Sequence, residues 1–193
     1  MRRTGYEGKT LVVAPLSVLS SWEDHFNKMA PELKTRVINN KNKKLRDLFL
    51  MVEADVYILH YDVLRLMPQL LEVQWLHIIA DECHRIQSRK AQQTKALKKL
   101  KTRYKTGLSG TPVTNKTDKF WSILNWLYPT KWKAYWKFYN QFVEFEILYP
   151  EGYHKIIGPK NEGILLEQIK PFYVRHLKKA KCCAHHPDGV QPY

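Results

Sequence analysis

The sequence predicts an α/β domain built around a mostly parallel sheet. Short apolar runs recur along the first half of the 193 residues, and segments with helical spacing of apolar side chains separate them. The runs are continuously apolar, which is typical of strands that a parallel sheet buries on both faces. Strands and helices that alternate in this way predict β-α-β units, with the helices packed against the sheet.

The first strand is predicted at 10–14, where Thr-Leu-Val-Val-Ala ends before Pro15. Ser17 can then cap a helix that continues to about Met29. Later apolar runs predict strands at 36–38, 56–59, 77–80 and 104–108. Amphipathic spacing predicts helices at 43–53, at 61–71 with a break at Pro68, at 88–101, and from 117 to the residue before Pro129.

A change in composition near residue 130 predicts a division of the chain. We expect residues 1–129 to form the sheet domain and 130–177 an accessory segment packed on it, with a short helix at 164–169. Aromatic residues begin that segment, and their helical spacing favours packing over a platform for stacked bases. Residues 178–193 are expected to form a flexible basic tail. The residues expected to mark loops are Gly152, Gly158, Pro159 and Gly163.

The charge balance predicts a polyanionic partner. Lys and Arg total 32 against 18 Asp and Glu, a formal net charge of +14. Nucleic acid is the usual partner of so basic a chain, and a basic but inert surface is the alternative.

The remaining composition argues against membrane and secreted proteins. No apolar run approaches the ~18 residues of a membrane-spanning helix. The three cysteines are an odd number and two are adjacent, so a disulfide framework is not expected. Pro15 interrupts the apolar run that could imitate a signal peptide, and Trp22 lies where a small residue should mark the cleavage site. We therefore expect a cytoplasmic or nuclear protein that is not secreted.

Candidate chemistry lies where two predicted strands end. Asp81 and Glu82 follow the apolar run 77–80, at the edge of the sheet where α/β folds bind ligands. Two carboxylates there can hold a hydrated Mg²⁺ and orient water beside a phosphate, although a simple loop start is an equal alternative. The hydroxyl residues of the stretch 109–112 end the next strand, beside the same edge.

Several stretches resemble motifs of superfamily 2 helicases of the Swi/Snf type, the group of double-stranded DNA translocases. Asp81-Glu82-Cys83-His84 resembles motif II, with Cys in the third place. The other stretches follow in the order and spacing of the family and span roughly residues 10–180. They are 11–22 (motif Ia), 56–61 (motif Ib), 108–115 (motif III), 120–129, and 172–176 near the end of the lobe.

The resemblance implies the first of two RecA-like lobes, a three-layer domain of the P-loop NTPase type, with ATP and Mg²⁺ as cofactors. It implies that Asp81 holds Mg²⁺ through water and that Glu82 polarises the hydrolytic water. His84 would link this site to motif III, where Ser109, Gly110 and Thr111 couple hydrolysis to movement.

The resemblance also implies double-stranded DNA as the partner. Residues of motifs Ia and Ib would contact its phosphates. They are Pro15, Leu16, Ser17, His60 and Tyr61.

A phosphate-binding loop of the Walker type is missing from the sequence. Gly8, Lys9 and Thr10 match its last three positions, but Arg3 stands where the first Gly belongs and the apolar run 11–13 follows instead of a helix. Gly8, Lys9 and Thr10 are therefore interpreted as a turn before a strand. The second lobe, with its arginine finger, is missing as well. We expect weak ATP binding and negligible hydrolysis by this chain alone.

Three interpretations of this incomplete set remain open. The chain is one part of a split helicase completed by a second polypeptide, a natural remnant, or a truncation. A different class also remains, an inert protein that uses the shape of the lobe to engage a partner, in which residues 130–145 should be exposed. A self-sufficient ATPase would require Gly8, Lys9 and Thr10 to bind phosphate.

Overall fold

The computed structural model describes residues 8–38, 53–110, 117–149 and 152–174. The chain divides into two compact units, 1–160 and 161–193. The predicted helix at 43–53, the predicted tail at 178–193 and most of motif III beyond Gly110 lie outside the described residues.

Five strands form a parallel sheet in the first unit, with the order β2-β3-β1-β4-β5. Each strand matches a strand predicted from the sequence to within about two residues, and the predicted α/β class is confirmed. The strands are β1 (Lys9–Ala14), β2 (Thr35–Ile38), β3 (Val56–His60), β4 (Trp75–Ala80) and β5 (Thr102–Gly107).

Position in the sheet explains the composition of the strands. Leu11, Val12 and Val13 of β1 are fully buried because the strand has neighbours on both sides and helices on both faces. The edge strand β5 is polar instead, and Arg103 and Tyr104 are exposed on it. A parallel sheet of this kind places the carboxyl ends of β1, β4 and β5 along one edge.

Helices pack on both faces of the sheet. Residues 16–18 form a 3₁₀ turn that leads into α1 (Leu19–Met29), and Trp22 and Phe26 of α1 pack with Ile79 on one face. The opposite face carries α4 (Thr117–Leu127). Its Trp126 lies so close to Gly107 of β5 that a Cβ atom added to this glycine would touch the ring. Because successive strand residues alternate between faces, these contacts give the sheet a helical layer on each side.

The remaining helices are shorter than predicted. In place of a helix at 61–71 there are α2 (Tyr61–Leu64) and a 3₁₀ turn at Pro68–Leu71, so the break falls at the predicted proline. The helix predicted at 88–101 is α3 (Gln92–Lys99). No helix within the described ranges is long and apolar enough to cross a membrane.

An antiparallel hairpin lies where the sequence was interpreted as loops. After α5 (Tyr135–Phe142), β6 (Val143–Leu148) pairs with β7 (Tyr153–Pro159). The prediction of loops at Gly158, Pro159 and Gly163 was wrong. Gly158 and Pro159 belong to β7, where a proline is tolerated at the end of a strand, and Gly163 belongs to a helix of the second unit. Gly152, in the connection, has a φ of +64°, which favours glycine. The second unit contains α6 (Glu162–Ile169), close to the helix predicted there.

Aromatic side chains join α5 to α4 within the first unit. The rings of Trp121 and Tyr135 meet edge to face at 5.2 Å, and Trp132 lies 5.6 Å from Phe138. The Asn125 amide donates a hydrogen bond of 3.0 Å to the carbonyl of Trp132. These contacts hold residues 130–142 against α4.

Two partly buried lysine amines donate hydrogen bonds to residues of α4. Lys98 donates a 2.8 Å hydrogen bond to Asn125 Oδ1 and lies 4.8 Å from the centre of the Trp121 ring. Lys105 donates to the carbonyl of Trp126 at 2.7 Å. Burial and the charge of nearby Lys105 lower the pKa of Lys98 to about 8, so the folded protein disfavours its charged form.

This burial predicts a pH dependence of stability. An unfolded lysine titrates at about 10.4, so between about pH 8 and about pH 10 the unfolded chain binds more protons and the free energy of unfolding rises with pH. Relative to Lys98→Met, the unmodified chain should gain on the order of 1 kcal/mol between about pH 7.5 and about pH 9.5. Denaturant unfolding at each pH measures this difference.

Lys99→Met is the matched control, because Lys99 is the next residue on α3 and is exposed. Its unfolding free energy should follow that of the unmodified chain at every pH. A constant difference between the unmodified chain and Lys98→Met across this pH range would contradict the assignment.

Candidate functional site

Four hydrogen bonds fix Asp81 at the carboxyl end of β4. Its amide donates to the Val13 carbonyl at 2.8 Å, and its carbonyl accepts the Tyr61 hydroxyl at 2.7 Å. Its carboxylate accepts the Trp22 indole N–H on Oδ2 at 2.8 Å and the Glu82 amide on Oδ1 at 2.9 Å. Backbone and side chain of Asp81 are therefore both held, by donors and acceptors from three other segments.

Glu82 has an unusual backbone conformation. Its φ of 47° and ψ of 53° lie in the left-handed region, which costs a residue other than glycine about 1 kcal/mol or more. A 3₁₀ turn, Cys83–Ile86, begins directly after it. Such strain is concentrated at functional sites, and here it turns the chain sharply after β4.

The Glu82 carboxylate belongs to a small polar network that links the ends of β4 and β5. Its Oε2 lies 3.2 Å from His84 Nδ1 and 3.5 Å from Ser109 Oγ, and the His84 and Ser109 atoms are 3.4 Å apart. Glu82 and His84 are each about two-fifths exposed. Water and a ligand can therefore reach the network.

Close backbone approach brings these two strand ends together. The Cys83 amide donates to the Leu108 carbonyl at 2.8 Å, and a Cβ on Gly107 would lie 3.2 Å from the Cys83 Sγ. Burial and then the Glu82 charge raise the pKa of the Cys83 thiol to about 11, which keeps it protonated. Cys83 is thus a packing residue.

The structure thus brings together four predicted site residues, Asp81, Glu82, His84 and Ser109. Gly110 follows Ser109 on the surface, and a Cβ built there would meet nothing within 4 Å among the described residues. Thr111 lies outside the described residues.

The residues predicted to contact DNA have very different exposures. Leu16 and Ser17 are exposed, at the turn between β1 and α1, whereas Pro15 is buried. Tyr61 is fully buried, and its hydroxyl is taken by Asp81. His60 is 18% exposed and lies 3.5 Å from the Asp62 carboxylate. Of these five predicted residues, Leu16 and Ser17 alone present exposed side chains to a large ligand.

Gly8, Lys9 and Thr10 lie at the other end of the sheet. Lys9 pairs with Trp75, six residues before Asp81, which places them about 20 Å apart along the strand direction. Gly8 has a φ of +151°, and a Cβ there would come within 2.6 Å of the Leu76 Cβ, so glycine is required for packing. Lys9 directs its amine over the Tyr57 ring at 5.7 Å.

The donor set at Asp81 suits a hydrated Mg²⁺ better than a closed metal site. Within the described ranges, no three His, Cys, Asp or Glu side chains converge as a closed metal site. Mg²⁺ at nucleotide sites takes one or two carboxylates and completes its shell with water and phosphate oxygens. Asp81 with Glu82 beside it fits that manner of binding.

Trp22 is the site residue that sequence reasoning missed. The sequence placed it in the helix predicted after Ser17 and at the end of motif Ia (11–22), with no role toward Asp81. The only available signal was its indole N–H, which needs a partner when it is partly buried.

The fold and site define a RecA-like lobe, in which carboxylates follow one strand and a hydroxyl residue follows its neighbour. The chain belongs to the SNF2-related domain family, which it matches over residues 1–184. This confirms the family resemblance of the sequence motifs.

Solved and curated proteins give the same relationship. The SWI2/SNF2 ATPase core of Sulfolobus solfataricus in complex with dsDNA has 32% identity and a TM-score of 0.72, over 90% of this chain and 35% of that chain. The transcription regulatory protein SNF2 of Saccharomyces cerevisiae is 30% identical over 89% of this chain and 11% of its own length. An uncharacterized ATP-dependent helicase of Mycoplasma pneumoniae is 28% identical over 88% of this chain and 15% of its own length. The chain therefore spans a small part of these relatives.

The close approach at Gly107 predicts that Gly107→Ala destabilises the protein. The added methyl group would crowd the Cys83 sulfur at 3.2 Å and should lower the free energy of unfolding by about 1–2 kcal/mol. Gly110→Ala is the control, and it should change stability by less than about 0.5 kcal/mol. Equal unfolding midpoints in denaturant for the two variants would contradict this explanation.

Proposed function

We propose that this chain is the first RecA-like lobe of a Swi/Snf-type DNA translocase, which binds duplex DNA and contributes the acidic motif for Mg-ATP. The observation that carries the proposal is the fixed Asp81 carboxylate, next to the network of Glu82, His84 and Ser109. Membership in the SNF2-related domain family supports this assignment.

Each member of the site has a role in this proposal. Asp81 holds the hydrated Mg²⁺, which neutralises charge on the nucleotide phosphates when it is bound. Glu82 accepts a hydrogen bond from the attacking water and orients it. His84 and Ser109 contact Glu82 and so connect the acidic motif to the segment after β5, where Gly110 and Thr111 follow.

The proposed DNA surface is the exposed turn at 16–17. His60 of motif Ib lies at the end of β3, which pairs with the end of β1 just before this turn. The formal charge of +14 favours binding to phosphates whatever the base sequence. One solved relative is described as a complex with dsDNA, and this supports the same partner here. Pro15 is buried next to this surface and supports it by packing. Tyr61 holds the backbone of Asp81 through its hydrogen bond.

Completion by another polypeptide is part of the proposal. Phosphoryl transfer needs a phosphate cradle and cationic groups that stabilise the charge of the transition state. The 193 residues contain no Gly-x-x-x-x-Gly-Lys-Ser/Thr sequence, and Lys9 lies at the far end of the sheet. A second polypeptide that supplies the cradle, the second lobe or both would make an active enzyme.

The alternative, an inert interaction protein, requires an exposed aromatic surface at 130–145. Trp132, Phe138 and Phe142 are buried there, and Trp136 is 58% exposed. This burial favours the translocase lobe over the alternative.

ATP turnover tests the incompleteness of the site. The purified chain, with or without duplex DNA, should hydrolyse ATP no faster than the double variant Asp81→Ala, Glu82→Ala, because no cradle holds the phosphates. Phosphate release measures the rate. Turnover that DNA stimulates and the double variant lacks would contradict the proposal, since it would require a complete site in this chain or its oligomer.

DNA binding tests the proposed surface. Fluorescence anisotropy with a duplex of about 20 base pairs should show affinity that falls steeply between about 50 and 200 mM salt, as counterion release requires. Ser17→Asp should weaken binding roughly tenfold by placing a carboxylate against phosphate.

Ser88→Asp is the matched control, because it adds the same charge at an exposed serine outside the proposed surface. Equal losses for the two variants would refute the surface at 16–17. Binding that does not change with salt would refute DNA as the partner.

A further inference from the structure

We propose that Trp22 is the positioning residue of the Asp81 carboxylate, and that its indole N–H sets how strongly Asp81 binds a divalent cation. The inference rests on the proposed function of Asp81 as the Mg²⁺ ligand. Nothing in the sequence motifs assigns a role to Trp22 in the nucleotide site.

Trp22 makes a specific hydrogen bond to the Asp81 carboxylate. The indole Nε1 lies 2.8 Å from Asp81 Oδ2, a short bond for an N–H donor. The other oxygen, Oδ1, accepts the amide of Glu82 at 2.9 Å. Two donors on two different oxygens leave the carboxylate group a single orientation, with one remaining lone pair on each oxygen.

The two donors differ in where they come from. Glu82 follows Asp81 in the chain, so its amide acts locally. Trp22 lies 59 residues earlier, on α1, and its ring is held by packing against Phe26 at 5.9 Å between ring centres. The carboxylate is therefore positioned relative to the helix that covers the sheet as well as to its own strand.

An ordered carboxylate binds a cation with a smaller loss of side-chain freedom. Groups that hydrogen-bond to metal ligands orient them, and their removal typically weakens metal binding by about 10–100-fold. Trp22 also lies five residues after Ser17, on α1, the helix that follows the proposed DNA surface. The same side chain thus links the segment proposed to touch DNA to the acidic motif.

Mn²⁺ is the probe for this role, because it takes carboxylate and water ligands as Mg²⁺ does and its binding can be measured by electron paramagnetic resonance without ATP turnover. Trp22→Phe keeps an aromatic ring and removes the N–H donor, and we expect roughly tenfold weaker Mn²⁺ binding. Asp81→Asn should abolish binding at this site.

Trp132→Phe is the matched control. It makes the same chemical change at a buried tryptophan whose Nε1 has no hydrogen-bond partner among the described residues. Its Mn²⁺ affinity should equal that of the unmodified chain, even if its stability falls. Cooperative denaturant unfolding of each variant establishes that it is folded.

NMR on the unmodified chain tests the same contact without any substitution. Among the six tryptophan indole protons, that of Trp22 should be the first NMR signal to broaden as Mn²⁺ is added, because it bonds directly to the ligand carboxylate.

The outcomes separate the two ideas. Unchanged Mn²⁺ affinity in Trp22→Phe, together with loss in Asp81→Asn, would overturn the role of Trp22 and leave the proposed function standing. Mn²⁺ binding that ignores Asp81→Asn would overturn the proposed function, and the role of Trp22 with it. A Trp22 indole signal that broadens no earlier than the other five would also overturn the positioning role.

Discussion

Parallel pairing of β4 with β1 on one side and β5 on the other is the constraint on which the site depends. It brings the carboxyl ends of all three strands to one edge of the sheet. Asp81 can then bond to Val13 at the end of β1, while Leu108, beyond β5, bonds to Ala80 and Cys83. The left-handed turn at Glu82 uses this arrangement, because the ladder bonds on both sides hold a backbone that would otherwise relax.

Much of the fold could be predicted because burial alone determines it. Residues 11–14 of β1 and 56–59 of β3 are buried, so these stretches are apolar and easily recognised. Asp81 and Glu82 could be predicted as well, since polar residues directly after such a strand fall at the edge where ligands bind. The family resemblance then assigned their roles, which spacing alone could not.

The features that sequence reasoning missed depend on contacts between distant segments. The bond from Trp22 to Asp81 requires the position of α1 over the sheet, and the need for glycine at position 107 arises only when Cys83 approaches it. The hairpin of β6 and β7 was missed because its glycines and proline suggested loops. Alternation of Val, Glu, Phe, Glu and Ile from residue 143 was the available sign of a strand.

The charged edge strand β5 affects how copies of this chain can associate. Lys101, next to β5, and Arg103, on β5, are exposed, and β5 is the outer strand of the sheet among the described residues. Two copies that met edge to edge would bring these cations against each other, and the repulsion opposes a continuous sheet of identical molecules. A strand flanked by carboxylates would meet no such barrier. The positive charge on this edge therefore disfavours edge-to-edge pairing between identical copies of the chain.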